Sequence, residues 1–289
     1  MSNTYNVEVL QSALTATLLG GRIEIYPQVG STNDLLREAA RRGEPEGLVI
    51  IADEQVAGRG RLGRVWTAPP GCCILCSTLL RPRFSPQYAF YLTIATSLAI
   101  YRAITRLDQK AEGRRQKAEA PGQEPKSKIQ NPKSKIAIKW PNDVLLGGRK
   151  VSGVLCESEF TGGDWAFAVV GFGINVNLRP DQLGDLREAA TSLSIEWGHD
   201  VDRAVLLAQV LAELESLYFL LQSGQFSTVH TEWVAALETI GKRVTVHEVG
   251  SAVTGIALRA DRDGALILRL DAGGEHRVLA GDVTPVHSP

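Results

Sequence analysis

A chain of 289 residues is long for one average domain and short for three, so one large unit with a small one is the natural expectation. Its apolar share of 44% allows a sizeable core, and a formal net charge of −1 gives no hint of a nucleic-acid or membrane partner. No apolar run approaches the length of a membrane span, and the polar start Met1-Ser2-Asn3-Thr4 lacks a signal-peptide pattern; a soluble, cytoplasmic protein is expected.

Taken in order, Val7, Leu10, Leu14 and Leu18 recur at helical spacing, and Gly20-Gly21 ends that helix. Arg22 to Val29 alternates as a strand. After Gly30, Ser31-Thr32-Asn33-Asp34 opens a helix through Leu36 and Ala40 to Gly43. A Ser31 or Thr32 hydroxyl accepting a backbone N–H would explain that start as a simple cap. Gly47 to Asp53 is a mostly apolar strand whose C-terminal end runs into Glu54-Gln55-Val56-Ala57-Gly58-Arg59-Gly60-Arg61-Leu62-Gly63-Arg64-Val65-Trp66. Open sheets place ligand chemistry at such ends. Three glycines free the backbone and three arginines present donor forks suited to carboxylate or phosphate, so the stretch reads as an anion-wrapping loop; a surface loop with solvated arginines is the bland alternative.

Gly58, Gly60 and Gly63 also satisfy G-x-G-x-x-G. The dinucleotide fingerprint needs a helix immediately afterwards and an acid about twenty residues on. Here Thr67-Ala68-Pro69-Pro70-Gly71 makes a poor helix start, and the residue in question is Arg83. A Walker loop fails as well, because no Gly-Lys-Ser/Thr follows.

Cys72-Cys73-Ile74-Leu75-Cys76 begins an apolar strand that reaches Leu80, and Cys156 is the remaining cysteine. With no His pair to complete a zinc set, these read as core residues and no metal ligands are assigned. Pro86 to Leu107 has the length and periodicity of a helix. From Gln109 to Lys135 polar and charged residues dominate, and Pro-Lys-Ser-Lys-Ile occurs at Pro125 and again at Pro132. Eight basic and three acidic residues give this window +5; it reads as a mobile insertion too polar to offset its ordering entropy, and a nucleic-acid-binding arm is less favoured because it has no aromatic residue.

Ile136-Ala137-Ile138-Lys139-Trp140-Pro141-Asn142-Asp143-Val144-Leu145-Leu146 reads as strand, proline turn, strand. A lysine on a buried strand either meets a carboxylate, here Asp143, or awaits an anionic ligand, and the ligand is the favoured reading. Gly147-Gly148 turns the chain into Lys150 to Glu157, where Gly153 marks a bulge or a close approach. Trp165 to Asn177 carries Gly171-Phe172-Gly173-Ile174-Asn175, whose alternating glycines would leave a slot for a flat or bicyclic ligand, with the Asn175 amide at its end. A long loop from Leu178 to Ala190 precedes helices at Val201 to Leu221 and Phe226 to Leu237. Beyond Gly241, short strands with tight turns at Asp263-Gly264 and Gly273-Gly274 indicate a small β-barrel carrying no nucleophile or metal cluster.

The Ser-Thr-Asn helix start, the Gly-Arg-Gly-Arg-x-Gly-Arg loop ending in Trp66, Lys-Trp-Pro-Asn-Asp and the Gly-x-Gly-x-Asn strand occur in order, and together they resemble the biotin protein ligases from about Arg22 to Val286. The resemblance implies an α+β fold of the class II aminoacyl-tRNA synthetase type: a mixed, largely antiparallel sheet flanked by helices over residues 1–238, with an SH3-like β-barrel over 239–289. It implies that ATP and biotin yield biotinyl-5′-adenylate and pyrophosphate, after which a lysine of a biotin carboxyl carrier domain takes the biotin. Mg2+ is expected to arrive with ATP, without a carboxylate cage of its own.

By the same resemblance Ser31, Thr32, Asn33 and Gln55 hydrogen-bond biotin, and Gly58, Arg59, Gly60 and Arg61 belong to the loop folding over biotin and adenylate. Lys139 stands between carboxylate and α-phosphate and, with Arg61, carries the catalysis. Gly153, Gly171 and Gly173 line the slot, while Trp66, Asn142 and Asn175 lie towards the nucleotide. Leu62 stands where a basic residue is common in these enzymes. Only thirty residues precede Ser31, too few for a winged helix-turn-helix, so no specific DNA binding is expected. An exposed sheet edge would let two copies form a homodimer or let a carrier dock. A lipoate or octanoate ligase or transferase of the same fold, and a non-catalytic biotin sensor, are the competing readings.

Overall fold

The computed structural model describes residues 5–118, 135–248 and 250–286. Its larger part is a seven-stranded sheet of β1 (Arg22–Val29), β2 (Leu48–Gln55), β3 (Cys73–Leu80), β4 (Ile136–Lys139), β5 (Asp143–Leu146), β6 (Arg149–Thr161) and β7 (Asp164–Asn175), in the order β1-β2-β3-β7-β6-β5-β4. Strands β1 and β2 are parallel, with helix α2 (Thr32–Arg41) between them in sequence, and the other neighbours pair antiparallel. The sheet is therefore mixed and the fold α+β.

Alternation sorts the strand side chains onto two faces. Val49, Ile51, Ile74, Cys76, Ala168, Val170 and Phe172 enter one core with helices α1 (Val7–Ala13), α3 (Phe90–Ala118), α5 (Arg203–Gln222) and α6 (Phe226–Ala236). Leu48, Ile50, Leu79, Phe167 and Val169 face the other way and bury Leu36, Ala39 and Ala40 of α2. On that second face β7 continues from Phe167 and Val169 to Gly171 and Gly173. Apolar packing gives way to glycine there because residues from outside the sheet descend onto it.

Four expectations need correction. Helix α1 stops at Ala13 instead of reaching Leu18, because the backbone amides of Thr17, Leu18 and Leu19 donate to the Glu215 carboxylate at 2.8, 2.6 and 2.8 Å. Helix α3 runs on to Ala118, so the proposed insertion begins as helix; residues 119–134 lie outside the described residues. Helix α5 is long and apolar enough to cross a membrane, contrary to the sequence reading, yet it is mostly buried and packs against α1 and α3. The long loop after β7 holds a 3-10 segment, Pro180–Leu186, and is followed by the short helix α4 (Leu193–Trp197), neither of which shows apolar periodicity.

All four cysteines are free; Cys73 and Cys76 are buried as small core residues, Cys72 and Cys156 are half-buried, and burial pushes the Cys73 thiol up to about 12. Among the described residues no group of three or more His, Cys, Asp or Glu could hold a metal ion.

The C-terminal part is a separate five-stranded antiparallel sheet of SH3-like type: β8 (Arg243–Glu248), β9 (Ser251–Ala260), β10 (Leu266–Leu270), β11 (Glu275–Val278) and β12 (Asp282–Pro285), ordered β11-β10-β9-β8-β12. Polar bonds fasten it to the first sheet and its helices. Trp140 Nε1 donates to the Gly264 carbonyl at 2.8 Å, the Tyr91 hydroxyl donates to the Arg262 carbonyl, and His230 Nε2 lies 2.9 Å from the Asp261 carbonyl. Val244, Val246, Leu266 and Leu268 extend the main core across the junction. This docking brings β12 to the rim of the cavity described next.

Candidate active site

Strand register gathers the site before side chains are considered. One row crosses the sheet through Ala52, Leu75, Gly173, Gly153, Asp143 and Lys139; a second, two residues along, runs through Ile50, Ser77, Gly171 and Leu155. Cross-strand partners share a face, and two residues of strand rise separate the rows by about 7 Å. Over them lies a cavity of about 600 Å³, within the range that takes a small-molecule ligand.

The glycine row is covered, not open. A Cβ on Gly171 would stand 2.1 Å from Asn33 Oδ1, and one on Gly173 would stand 2.6 Å from the Trp66 indole. The expected bare slot is thus filled at these two positions by side chains from α2 and from the arginine loop. Gly153 is less constrained, since its nearest neighbour is the end of the flexible Lys150 side chain at 3.0 Å.

Around Gly171 the polar groups form a chain. Gln55 Oε1 accepts the Thr32 backbone N–H at 2.7 Å and lies 3.0 Å from its hydroxyl. Thr32 Oγ1 is 2.7 Å from Ser77 Oγ, which donates to Asn33 Oδ1 at 2.6 Å, and Asn33 Nδ2 donates to Glu157 Oε2 at 2.7 Å. A hydroxyl has one hydrogen: with Ser77 donating to Asn33, the 2.7 Å contact takes the Thr32 hydrogen from Thr32 to Ser77, and the longer Thr32–Gln55 contact is left without a proton of its own. Such a run polarises its members and fixes their orientation. The simple cap is not observed: Ser31 is the N-cap of α2 but its side chain makes no capping bond, although it is buried at the cavity wall.

At the Gly153 end the groups are charged. Lys139 Nζ lies 3.4 Å from Asp143 Oδ2 and 3.9 Å from Asp282 Oδ1, and Lys150 Nζ lies 2.7 Å from Asp143 Oδ1 and 5.6 Å from the Trp66 ring centre. The internal partner weighed for Lys139 is therefore present. Arg61 donates to Asn142 Oδ1 at 3.0 Å while Asn142 Nδ2 donates to the Val154 carbonyl at 2.7 Å. Burial lowers the Arg61 pKa, against the charges of Asp143 and Asp282. For Asp282, burial favours the neutral acid, yet the hydrogen bond from Arg64 and the charges of Lys139, Arg64 and Lys150 hold its carboxyl below the usual range. Four cations, Arg61, Arg64, Lys139 and Lys150, facing two carboxylates leave this end ready for anionic ligands.

The arginine loop is closed as a hairpin: Gly60 N–H donates to the Arg64 carbonyl at 2.7 Å and Trp66 N–H to the Gly58 carbonyl at 2.9 Å. Its base is tied down by a buried pair, Arg203 Nη1 to Asp53 Oδ1 at 2.9 Å, with the same nitrogen 2.9 Å from the Cys73 carbonyl. Arg59 turns its guanidinium to Asp34 in a two-point bond of 2.6 and 2.6 Å. Asn175, predicted to face the nucleotide, spends its amide within the protein, donating to the Thr191 carbonyl at 3.0 Å and lying 3.6 Å from Cys73 Sγ.

Residues 25–175 match the biotin/lipoate A/B protein ligase family. The biotin--[acetyl-CoA-carboxylase] ligase of Mycobacterium tuberculosis is 34% identical over 266 residues, 91% of this chain and 88% of the relative. The chain belongs to the biotin/lipoate A/B protein ligase family. The bifunctional ligase/repressor BirA of Bacillus subtilis is 30% identical over 265 residues, 91% of this chain and 74% of its own length. In fold, the chain is similar to a biotin protein ligase from Aquifex aeolicus in complex with biotin and ATP, with a TM-score of 0.70 over 92% of this chain and 99% of that one at 24% identity.

In this member of the biotin/lipoate ligase family, the cavity brings together Ser31, Thr32, Asn33, Gln55, Arg59, Gly60, Arg61, Trp66, Lys139, Asn142, Gly153, Gly171, Gly173 and Asn175, with Gly58 beside Trp66 in the loop that closes over it. Sequence reasoning missed Ser77, Lys150, Glu157 and Asp282. Ser77 was legible as the one strongly polar side chain on its face of β3, between Leu75 and Leu79. Lys150 sits one register step beyond a hairpin turn, and Asp282 reaches the site only because the second sheet docks there; neither has a local sequence signal.

Proposed function

We propose that the cavity binds biotin along the Thr32–Gln55–Ser77–Asn33 chain and ATP towards Trp66 and Asn142, and joins them as biotinyl-5′-adenylate. A biotin carboxylate oxygen attacks the α-phosphorus, pyrophosphate leaves, and the amine of a carrier-domain lysine then attacks the mixed anhydride, releasing AMP. Both reactants of the first step are anions, so their approach needs positive charge placed in advance. The observation that carries the reading is the convergence of Arg61, Lys139 and Lys150 on one end of a cavity whose other end holds oriented neutral donors and acceptors.

Asp143 holds both lysines in place until the substrates' anions compete for them. Gln55 Nε2 and the Ser31 hydroxyl, which have no hydrogen-bond partner among the described residues, are the groups left to bond the ureido ring. Magnesium would travel with ATP, since the nearby carboxylates Asp143 and Asp282 are engaged by lysines and arginine. The acceptor is a biotin carboxyl carrier domain, and no DNA element takes part. Incubation with labelled biotin, ATP and a carrier domain should label one lysine; labelling that needs no ATP, or none at all, would refute the proposal.

A further inference from the structure

The arginine loop carries three guanidinium groups, and although Arg59 lines the cavity, its guanidinium is held by carboxylates of the protein. Both its terminal nitrogens are taken by Asp34, in the first turn of α2, at 2.6 and 2.6 Å, and Nη2 also lies 3.4 Å from Glu157 Oε2 on β6. Arg37 completes the cluster, 3.6 Å from Asp34 and 3.5 Å from Glu157. The hydrogen bond from Arg59 holds the Asp34 carboxyl below its usual range, so it is ionised at neutral pH. Glu157 Oε2 is also the atom that accepts from Asn33 Nδ2. One carboxylate oxygen thus ends the polar chain of the cavity and touches the arginine of the loop.

We propose that Asp34, assisted by Glu157, is a positioning residue that latches the loop over the cavity through Arg59, and so sets how long the reaction intermediate is retained. The inference rests on the adenylate-forming function proposed above. Two-point arginine–carboxylate bonds fix orientation as well as distance, which a backbone hairpin at the cavity mouth requires. The side chains remain partly exposed, 37% for Arg59 and 42% for Asp34, so the latch is weak enough to open for substrate entry and for the acceptor lysine. Glu157 couples the two: a ligand that orders Asn33 also orders the oxygen facing Arg59.

A direct contact between Arg59 and ligand would give a different pattern, and a double-mutant cycle separates the two. The variants are Asp34→Asn, Arg59→Gln and their combination. One readout is amide hydrogen exchange at Gly60 and Trp66, whose N–H bonds close the hairpin; the other is dissociation of biotinyl-5′-adenylate formed in place. Each single variant should speed exchange and adenylate release by roughly three- to tenfold, with the double variant no faster than the faster single one and thermal midpoints unchanged. Glu157→Gln should give a smaller change in the same direction. A silent Asp34→Asn, or effects that multiply in the double variant, would overturn the latch and assign Arg59 to the ligand. Failure of the unsubstituted protein to form adenylate would instead refute the enzymatic function, with the exchange measurement still deciding the latch.

Discussion

At the Ser77–Gly171 end of the cavity, neutral side chains are bonded to one another in a fixed direction; at the Gly153–Lys139 end, lysines are held against carboxylates across a strand register. The first arrangement orients its members in advance and leaves Gln55 Nε2 and the Ser31 hydroxyl for a ligand, which therefore meets groups already aimed. The second is held by contacts that anionic ligands can replace, so it responds to charge. Under the proposed function, the difference assigns affinity and chemistry to separate ends of one groove, about 7 Å apart along the strands.

Breaking the charged end should give the largest effect. Lys139→Ala or Lys150→Ala is expected to slow adenylate formation by about 10²-fold or more, measured as biotin-dependent pyrophosphate release. Each leaves Asp143 one remaining lysine partner, so circular dichroism and the thermal midpoint should change little; near-normal release would remove that lysine from the mechanism. Arg61→Gly comes next: with its bond to Asn142 lost, the adenylate should escape roughly tenfold faster and label lysines indiscriminately, whereas unchanged carrier-only labelling would count against a retaining role. At the neutral end the losses should appear in affinity. Gln55→Leu strands the Thr32 N–H and should weaken biotin binding by about 1–2 kcal/mol in calorimetry with the rate at saturation nearly kept. A fall in the saturated rate as large as that of the lysine variants would erase the division between the ends. Ser31→Ala should cost the least, about 0.5–1 kcal/mol of biotin affinity and no helix stability, because its hydroxyl caps nothing.

Local patterns made much of this legible. The alternation of β1 and the spaced glycines of β7 are two-residue periodicities, which place residues on a face without any knowledge of the fold, and the lysine on β4 stands out as one charge in an apolar strand. The arginine loop was recognisable because glycine and arginine interleave after a strand end. What stayed hidden depends on assembly. Nothing near Asp34 announces that it bonds Arg59, twenty-five residues on, and Asp282 matters only through docking of the second sheet. The bare glycine slot was misread for the same reason: a missing Cβ is visible in sequence, but the Asn33 and Trp66 side chains that fill its space are not. Helix α5 shows the converse, since its composition suits a membrane as well as a core, and only its packing against α1 and α3 decides.

The central claim is that this cavity joins biotin, and not another short-chain acid, to the nucleotide. Mixing the protein with ATP and either biotin or lipoate, then detecting the acyl-adenylate and pyrophosphate, tests it directly. The account predicts biotinyl-5′-adenylate in amounts that follow the enzyme, lost in the Lys139→Ala variant, with little lipoyl-adenylate. Lipoyl-adenylate in place of the biotinyl form, or no adenylate from either acid, would contradict it.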